Sequence, residues 1–179
     1  MLVHAAAGGA GLLLVQLGTM LGARVFGLAS SGTKAREAER AGADAVFLYS
    51  DDWPAQAKEA TGGRGVDIVY DSVGATLDAS LRATRIGGQV VFFGMAGGDS
   101  AAVDPRRLMD ESKSLTGGDL WNVLRTRDDR ATRAAELFAW IETGAVSVTI
   151  ATRIPLSEGA RAHRMLEGRG TVGKVLLIP

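Results

Sequence analysis

Short apolar runs alternate with longer stretches of mixed polarity from the first residue onward. Residues 1–5, 24–29, 45–48, 66–71 and 89–94 read as strands, because each is a run rich in aliphatic or aromatic side chains. Between them the period changes. Residues 11–21 predict a helix that is apolar on nearly all sides and therefore buried. A polar helix follows through Arg40, capped by Gly32 or Thr33 and stopped by Gly42. Residues 52–60 and 77–84 predict two more helices, the second ended by Gly87 and Gly88. Strands and helices at this spacing imply right-handed βαβ crossovers, hence an α/β fold with a Rossmann-like, doubly wound parallel sheet. The unbroken apolar runs of the second and fifth strands suit burial on both faces.

Beyond Gly94 the pattern changes character. Residues 99–113 are mixed and include Pro105, and residues 114–118 fit a last strand of the sheet. Residues 128–143 predict an amphipathic helix with Ala131, Ala135, Leu137, Phe138 and Ile141 as its apolar stripe. A strand (146–154), a short helix (157–166) and a strand (173–178) complete an α+β extension. The division expected from this is a doubly wound part over 1–119 and a C-terminal segment over 120–179.

Composition narrows the chemistry. The chain has 179 residues, with 20 basic against 20 acidic, so it carries no global field to attract nucleic acid or an anionic membrane. It has no cysteine and two histidines far apart in sequence, which leaves no disulfide, no thiolate and no closed N/S zinc site. The early apolar stretch is interrupted by glycines and lacks a basic leader, so neither a signal peptide nor a membrane span is expected, and the location expected is the cytoplasm.

The candidate site is the turn between the first strand and helix, where HAAAGGAG (residues 4–11) runs into an apolar helix. Small residues there let backbone approach a pyrophosphate, and the helix N-terminus supplies free donors and partial positive charge. The fourth strand ends in DSVG and the fifth in FGM, which a parallel sheet brings to the same carboxyl edge. A carboxylate about 20 residues after the glycines usually accepts from the adenosine ribose. Here Ser30, Ser31 and Lys34 stand at that position, a set suited to a 2′-phosphate, so NADPH is the expected cofactor. The plainer alternative is an N-cap serine and a solvated lysine.

HAAAGGAG, AGAD (41–44), TGGRGVD (61–67), VYDSVG (69–74), FFG (92–94), PLSEGARAH (155–163) and GKVLLIP (173–179) together resemble the zinc-less NADPH:quinone oxidoreductases. These are the zeta-crystallin-like branch of the medium-chain dehydrogenase/reductase superfamily. The resemblance covers essentially the whole chain but only the second half of such an enzyme. It implies that Gly8, Gly9, Ala10 and Gly11 hold the pyrophosphate, with Ser30 and Lys34 on the 2′-phosphate and Tyr49 near the adenine. Val73 would line the groove, Gly94 and Met95 would meet the nicotinamide half, and Arg169 would return to the cofactor. Two departures from the family pattern stand out: Met95 stands where Asn is common, and Gly117-Gly118-Asp119-Leu120 where an Arg-Pro-Ser sequence is common.

The implied activity is hydride transfer from the nicotinamide to a small conjugated carbonyl acceptor, a quinone or enone. No residue of this chain is assigned a catalytic role, and Asp71 reads as a hydrogen-bonded structural carboxylate. The N-terminal half of the enzyme would be absent, leaving the two C-terminal strands without their usual partners and favouring a truncated chain that self-associates into a homo-oligomer. Two other classes stay open: an NADPH-binding module without turnover, and an S-adenosylmethionine-dependent methyltransferase. The missing acid after the second strand weighs against the latter.

Overall fold

Leu2 and Val3 set the plan of the molecule, because neighbouring strand residues point to opposite faces of a sheet. In the computed structural model, which describes residues 1–179, they form β1 (Leu2–Val3). Leu2 enters a core containing Phe26, Leu28, Val69, Leu81 and Val90, while Val3 enters a second one with Ala6, Val15, Val25 and Ala38. Six parallel strands lie between these cores in the order β3-β2-β1-β4-β5-β6. They are β1, β2 (Phe26–Ala29), β3 (Ala45–Leu48), β4 (Val66–Asp71), β5 (Thr84–Phe92) and β6 (Ser114–Gly117). The order reverses beside β1, which places the end of β1 at the switch point where open α/β sheets bind ligands.

Helices α1 (Gly11–Met20) and α2 (Gly32–Arg40) supply Val15 and Ala38 to the Val3 side. Helices α3 (Trp53–Glu59) and α4 (Leu77–Ala83) supply Trp53, Ala57, Leu77 and Leu81 to the other. The doubly wound expectation holds, with local corrections. Ser31, not Gly32 or Thr33, caps α2: its backbone is extended and its hydroxyl accepts from Lys34 N–H. Helix α4 does not end at Gly87 and Gly88. Thr84 ends it and begins β5 at once, with Thr84 Oγ1 donating to Ser80 O at 2.7 Å. Residues 85–88 bulge from the ladder between the Val66–Thr84 and Ile68–Gln89 pairs. Strand β2 is buried throughout, but β5 is only partly covered. Helix α1 buries Gly11, Leu12, Val15 and Gly18 and exposes only Thr19 and Met20 at its end.

Past β5 come α5 (Pro105–Asp110), β6, α6 (Leu120–Val123) and α7 (Arg127–Glu142), the last opened by a reciprocal Thr126–Asp129 capping box. The inward side of α7 is Ala134, Leu137, Trp140 and Ile141, all half-buried, whereas Ala131, Ala135 and Phe138 of the expected stripe are exposed. The remaining strands, β7 (Ile150–Pro155) and β8 (Lys174–Ile178), are not left unpaired: they form a parallel two-stranded sheet around α8 (Gly159–Glu167).

This extension is fastened to the glycine-rich turn itself. Gly173 bridges to Gly8, and Gly173 N–H donates to Ala7 O at 3.1 Å. Farther along α1, the Gln16 amide accepts Ser147 N–H at 2.7 Å and donates to Ser147 O at 3.0 Å.

Candidate functional site

The turn after β1 is shaped by close packing. A Cβ on Gly11 would stand 2.2 Å from Ala5 O, so only glycine lets α1 start this near the strand it leaves. Helix α1 has no side-chain cap and no acidic residue in its first turn. Its N-terminal donors and partial positive charge therefore face the sheet edge without an internal counter-charge.

A groove of about 530 Å³ opens there. Ala5, Ala7 and Gly8 form one wall, and Ala29 and Ser30 at the end of β2 the adjoining one. Tyr49, Trp53, Val73 and Thr76 line it from the ends of β3 and β4 and the helices that follow. Lys34 and Arg169 bring two cations into the lining, and no carboxylate joins them. Lys34 Nζ donates to Arg169 O, and Arg169 Nη2 donates to Ala96 O at 3.0 Å. The turn carrying Arg169 thus spans the groove from α2 to the segment after β5, with Arg169 itself in the left-handed region (φ 52°).

Gly8, Ser30, Lys34, Tyr49, Val73 and Arg169 meet in this one groove, although Arg169 lies 135 residues from Lys34. Gly9, Ala10 and Gly11 continue the turn but do not line the groove, and Gly11 is buried. Gly94 and Met95 lie elsewhere, in a second depression of about 670 Å³ shared with Gly117, Asp119 and Trp121. Sequence reading missed Trp53, Thr76 and Lys174. The Lys174 side chain lies over the turn, its Cγ 2.9 Å from where a Gly9 Cβ would stand. Its only signal was a lysine following the glycine of the closing strand.

Beneath the groove lies a buried polar cluster. Asp71 accepts from Val73 N–H (2.8 Å), Gly74 N–H (3.1 Å), Thr76 Oγ1 (3.0 Å) and Ser80 Oγ (2.7 Å). Burial alone would raise this carboxyl; the neighbouring His4 ring and the bonds from Ser80, Val73 and Gly74 outweigh it and hold Asp71 below the usual carboxylate range. Ser80 Oγ also stands 2.9 Å from His4 Nε2. These three residues are not a hydrolytic triad: Ser80 gives its proton straight to Asp71, and all three are at most 1% exposed. Asp71 is the structural carboxylate expected. No group of three or more His, Cys, Asp or Glu side chains gathers anywhere to hold a metal, and no helix is long and apolar enough to cross a membrane.

Known proteins share this fold. A family model described as zinc-binding dehydrogenase matches residues 9–140. A 2-haloacrylate reductase from Burkholderia sp is 36% identical over 185 residues, covering 99% of this chain and 55% of the relative. Quinone oxidoreductase 1 from Escherichia coli (strain K12) is 39% identical over 184 residues, covering 99% and 56%. Among solved structures, a mycobacterial protein complexed with NADPH superposes with a TM-score of 0.93 at 46% identity, covering 99% of this chain and 56% of that one. The Escherichia coli quinone oxidoreductase complexed with NADPH gives 0.93 at 39%, with the same coverage. The chain spans about half the length of the curated relatives it matches.

Proposed function

The chain belongs to the zinc-binding dehydrogenase family, and from that membership we propose that it is the cofactor-binding portion of an NADPH-dependent quinone or enone oxidoreductase. The observation that carries this is the charge of the groove. Ser30, Lys34 and Arg169 gather at its lining with no carboxylate among them, a donor set that fits an extra ribose phosphate and would fail to hold bare ribose hydroxyls by the usual acid. The family's name does not bring zinc to this chain, whose side chains form no ligand set for it.

In this reading the uncapped start of α1 and the backbone of residues 8–11 hold the pyrophosphate, and Lys174, draped over Gly9, adds a cation there. Tyr49 and Trp53 wall the adenine side, Val73 flanks the groove, and Arg169 closes over it. Gly94 and Met95, in the second depression, take the nicotinamide half. When bound, NADPH supplies the hydride; these residues orient it toward the acceptor. The acceptor is a small conjugated carbonyl compound, consistent with relatives named quinone oxidoreductase and 2-haloacrylate reductase. Residues 1–119 form the dinucleotide domain and residues 120–179 a segment of the catalytic one, with exposed apolar side chains that favour a homo-oligomer.

Calorimetry on the chain tests this. NADPH should bind more tightly than NADH, and Lys34→Ala should weaken NADPH by about tenfold, ~1.4 kcal/mol, with little effect on NADH. Equal dissociation constants for the two dinucleotides would remove the reading.

A further inference from the structure

His4 is, with Asp71, one of two fully buried titratable groups that the cofactor reading leaves without a task. It is 1% exposed and lies directly under the groove. Its ring sits edge-on to Trp53 at 5.3 Å and 5.7 Å from Tyr49, both of which line the groove above. Asp71 from β4 and Thr76 and Ser80 from α4 and its entry complete its polar surroundings.

The direction of every proton in this cluster can be read from its ends. Ser80 Oγ gives its hydrogen to Asp71, so its oxygen is left to accept from His4 Nε2–H. Thr76 Oγ1 is likewise spent on Asp71. His4 Nδ1 is then the acceptor, and the Tyr49 hydroxyl, 3.2 Å away, donates to it. That leaves the Tyr49 oxygen to accept the Ala5 N–H at 2.9 Å. The chain thus runs from ionised Asp71 through Ser80, neutral His4 and Tyr49 to the backbone of the glycine-rich turn. Burial keeps His4 neutral, pushing its pKa down to about 4.

Ala5 is where this chain does work on the site. Its φ is 47°, a left-handed conformation that side-chain-bearing residues rarely adopt. Such strain persists only where neighbours hold it. Ala5 O in turn accepts Gly8 N–H at 2.8 Å, so the bend at Ala5 sets the course of the turn into α1.

We propose that His4 is a positioning residue for the dinucleotide groove: it aims the Tyr49 hydroxyl at the Ala5 amide and so holds the strained entry of the glycine-rich turn in its binding shape. The proposal rests on the NADPH reading for its ligand but not for its geometry. His4→Phe keeps the ring against Trp53 and removes both hydrogen bonds; Tyr49→Phe removes only the hydroxyl. Each should weaken NADPH about tenfold, and the double variant no further, because both cut one tether. Ala5→Gly, which adopts a positive φ freely, should restore most of the affinity in the His4→Phe background. A merely structural histidine would not be rescued in this way.

Nitrogen-15 NMR of the wild-type chain should show His4 protonated at Nε2 and bare at Nδ1, with the Nδ1 signal moving in Tyr49→Phe. Additive losses, no rescue by Ala5→Gly, or a proton on Nδ1 would overturn the proposal. If the wild-type chain fails to bind NADPH, the cofactor reading falls, and the tautomer with the Ala5 amide exchange rate in Tyr49→Phe still decides the tether. That rate should rise about tenfold.

Discussion

The six-stranded sheet and the C-terminal extension use the same kinds of residue to different effect. Up to β6 the apolar positions build two cores, one on each face of the sheet, and leave Leu21, Ile86, Met95 and Met109 outside them. After Asp119, only Val146, Ile154 and Ala162 among apolar side chains are buried, while Phe138, Leu156, Leu166, Leu177 and Ile178 are exposed. The extension is held less by a core than by fastenings: the Gln16–Ser147 pair, the Gly8–Gly173 bridge and the Lys34–Arg169–Ala96 crossing. The contrast teaches that an amphipathic pattern predicts an element but not that its apolar side finds a partner. That depends on what stands opposite.

Glycine substitutions give the sharpest break between the halves. Gly11→Ala forces a methyl onto the backbone of Ala5 and Ala6 and should cost about 3 kcal/mol or more. Gly170→Ala, with open space around it and no positive φ, should stay within about 0.5 kcal/mol. Thermal or urea unfolding of the two variants measures the difference. Comparable losses would show that the extension is packed as tightly as the sheet.

Core truncation should separate the halves by less. Leu81→Ala in the larger core is expected to cost about 2–5 kcal/mol, whereas Leu177→Ala, 40% exposed, should cost under about 1 kcal/mol. If the exposed apolar surface drives self-association, Leu177→Lys should lower the mass seen by light scattering without lowering the unfolding midpoint of the sheet.

Acidification probes a single buried group and acts through the sheet half. Burial lowers the His4 pKa from 6.5 to about 4, so the unfolded chain binds more protons in that interval. Stability from this group is complete above pH 6.5 and is lost as pH falls toward 4, by roughly 3 kcal/mol in all. Asp71, also held low, contributes a further loss only below its ordinary range near 3.8. His4→Phe should flatten the pH 6.5 to 4 limb and leave the lower one. An unchanged profile would mean that His4 carries no such penalty.

Much of the groove was legible because its signals are local. The glycines after β1, the hydroxyls and lysine after β2 and the DSVG at the end of β4 each sit at a strand end, and a parallel sheet carries strand ends to one edge. Trp53 and Thr76 gave no such signal, since their place depends on helix packing across the sheet. His4 looked like an ordinary strand residue. Only the meeting of β1, β4 and α4 shows that its ring links Asp71 and Ser80 to Tyr49.

The order of strands and helices, the absence of a thiolate or zinc ligand set and the cation-bearing end of β2 follow from sequence alone, because periodicity, composition and spacing are properties of neighbours along the chain. Tertiary structure decided the rest: that Arg169 crosses to Lys34, that Gly94 and Met95 open into a separate depression, and that Phe138 faces outward. Those outcomes depend on contacts between residues far apart in sequence, whose distances are fixed only when the cores close.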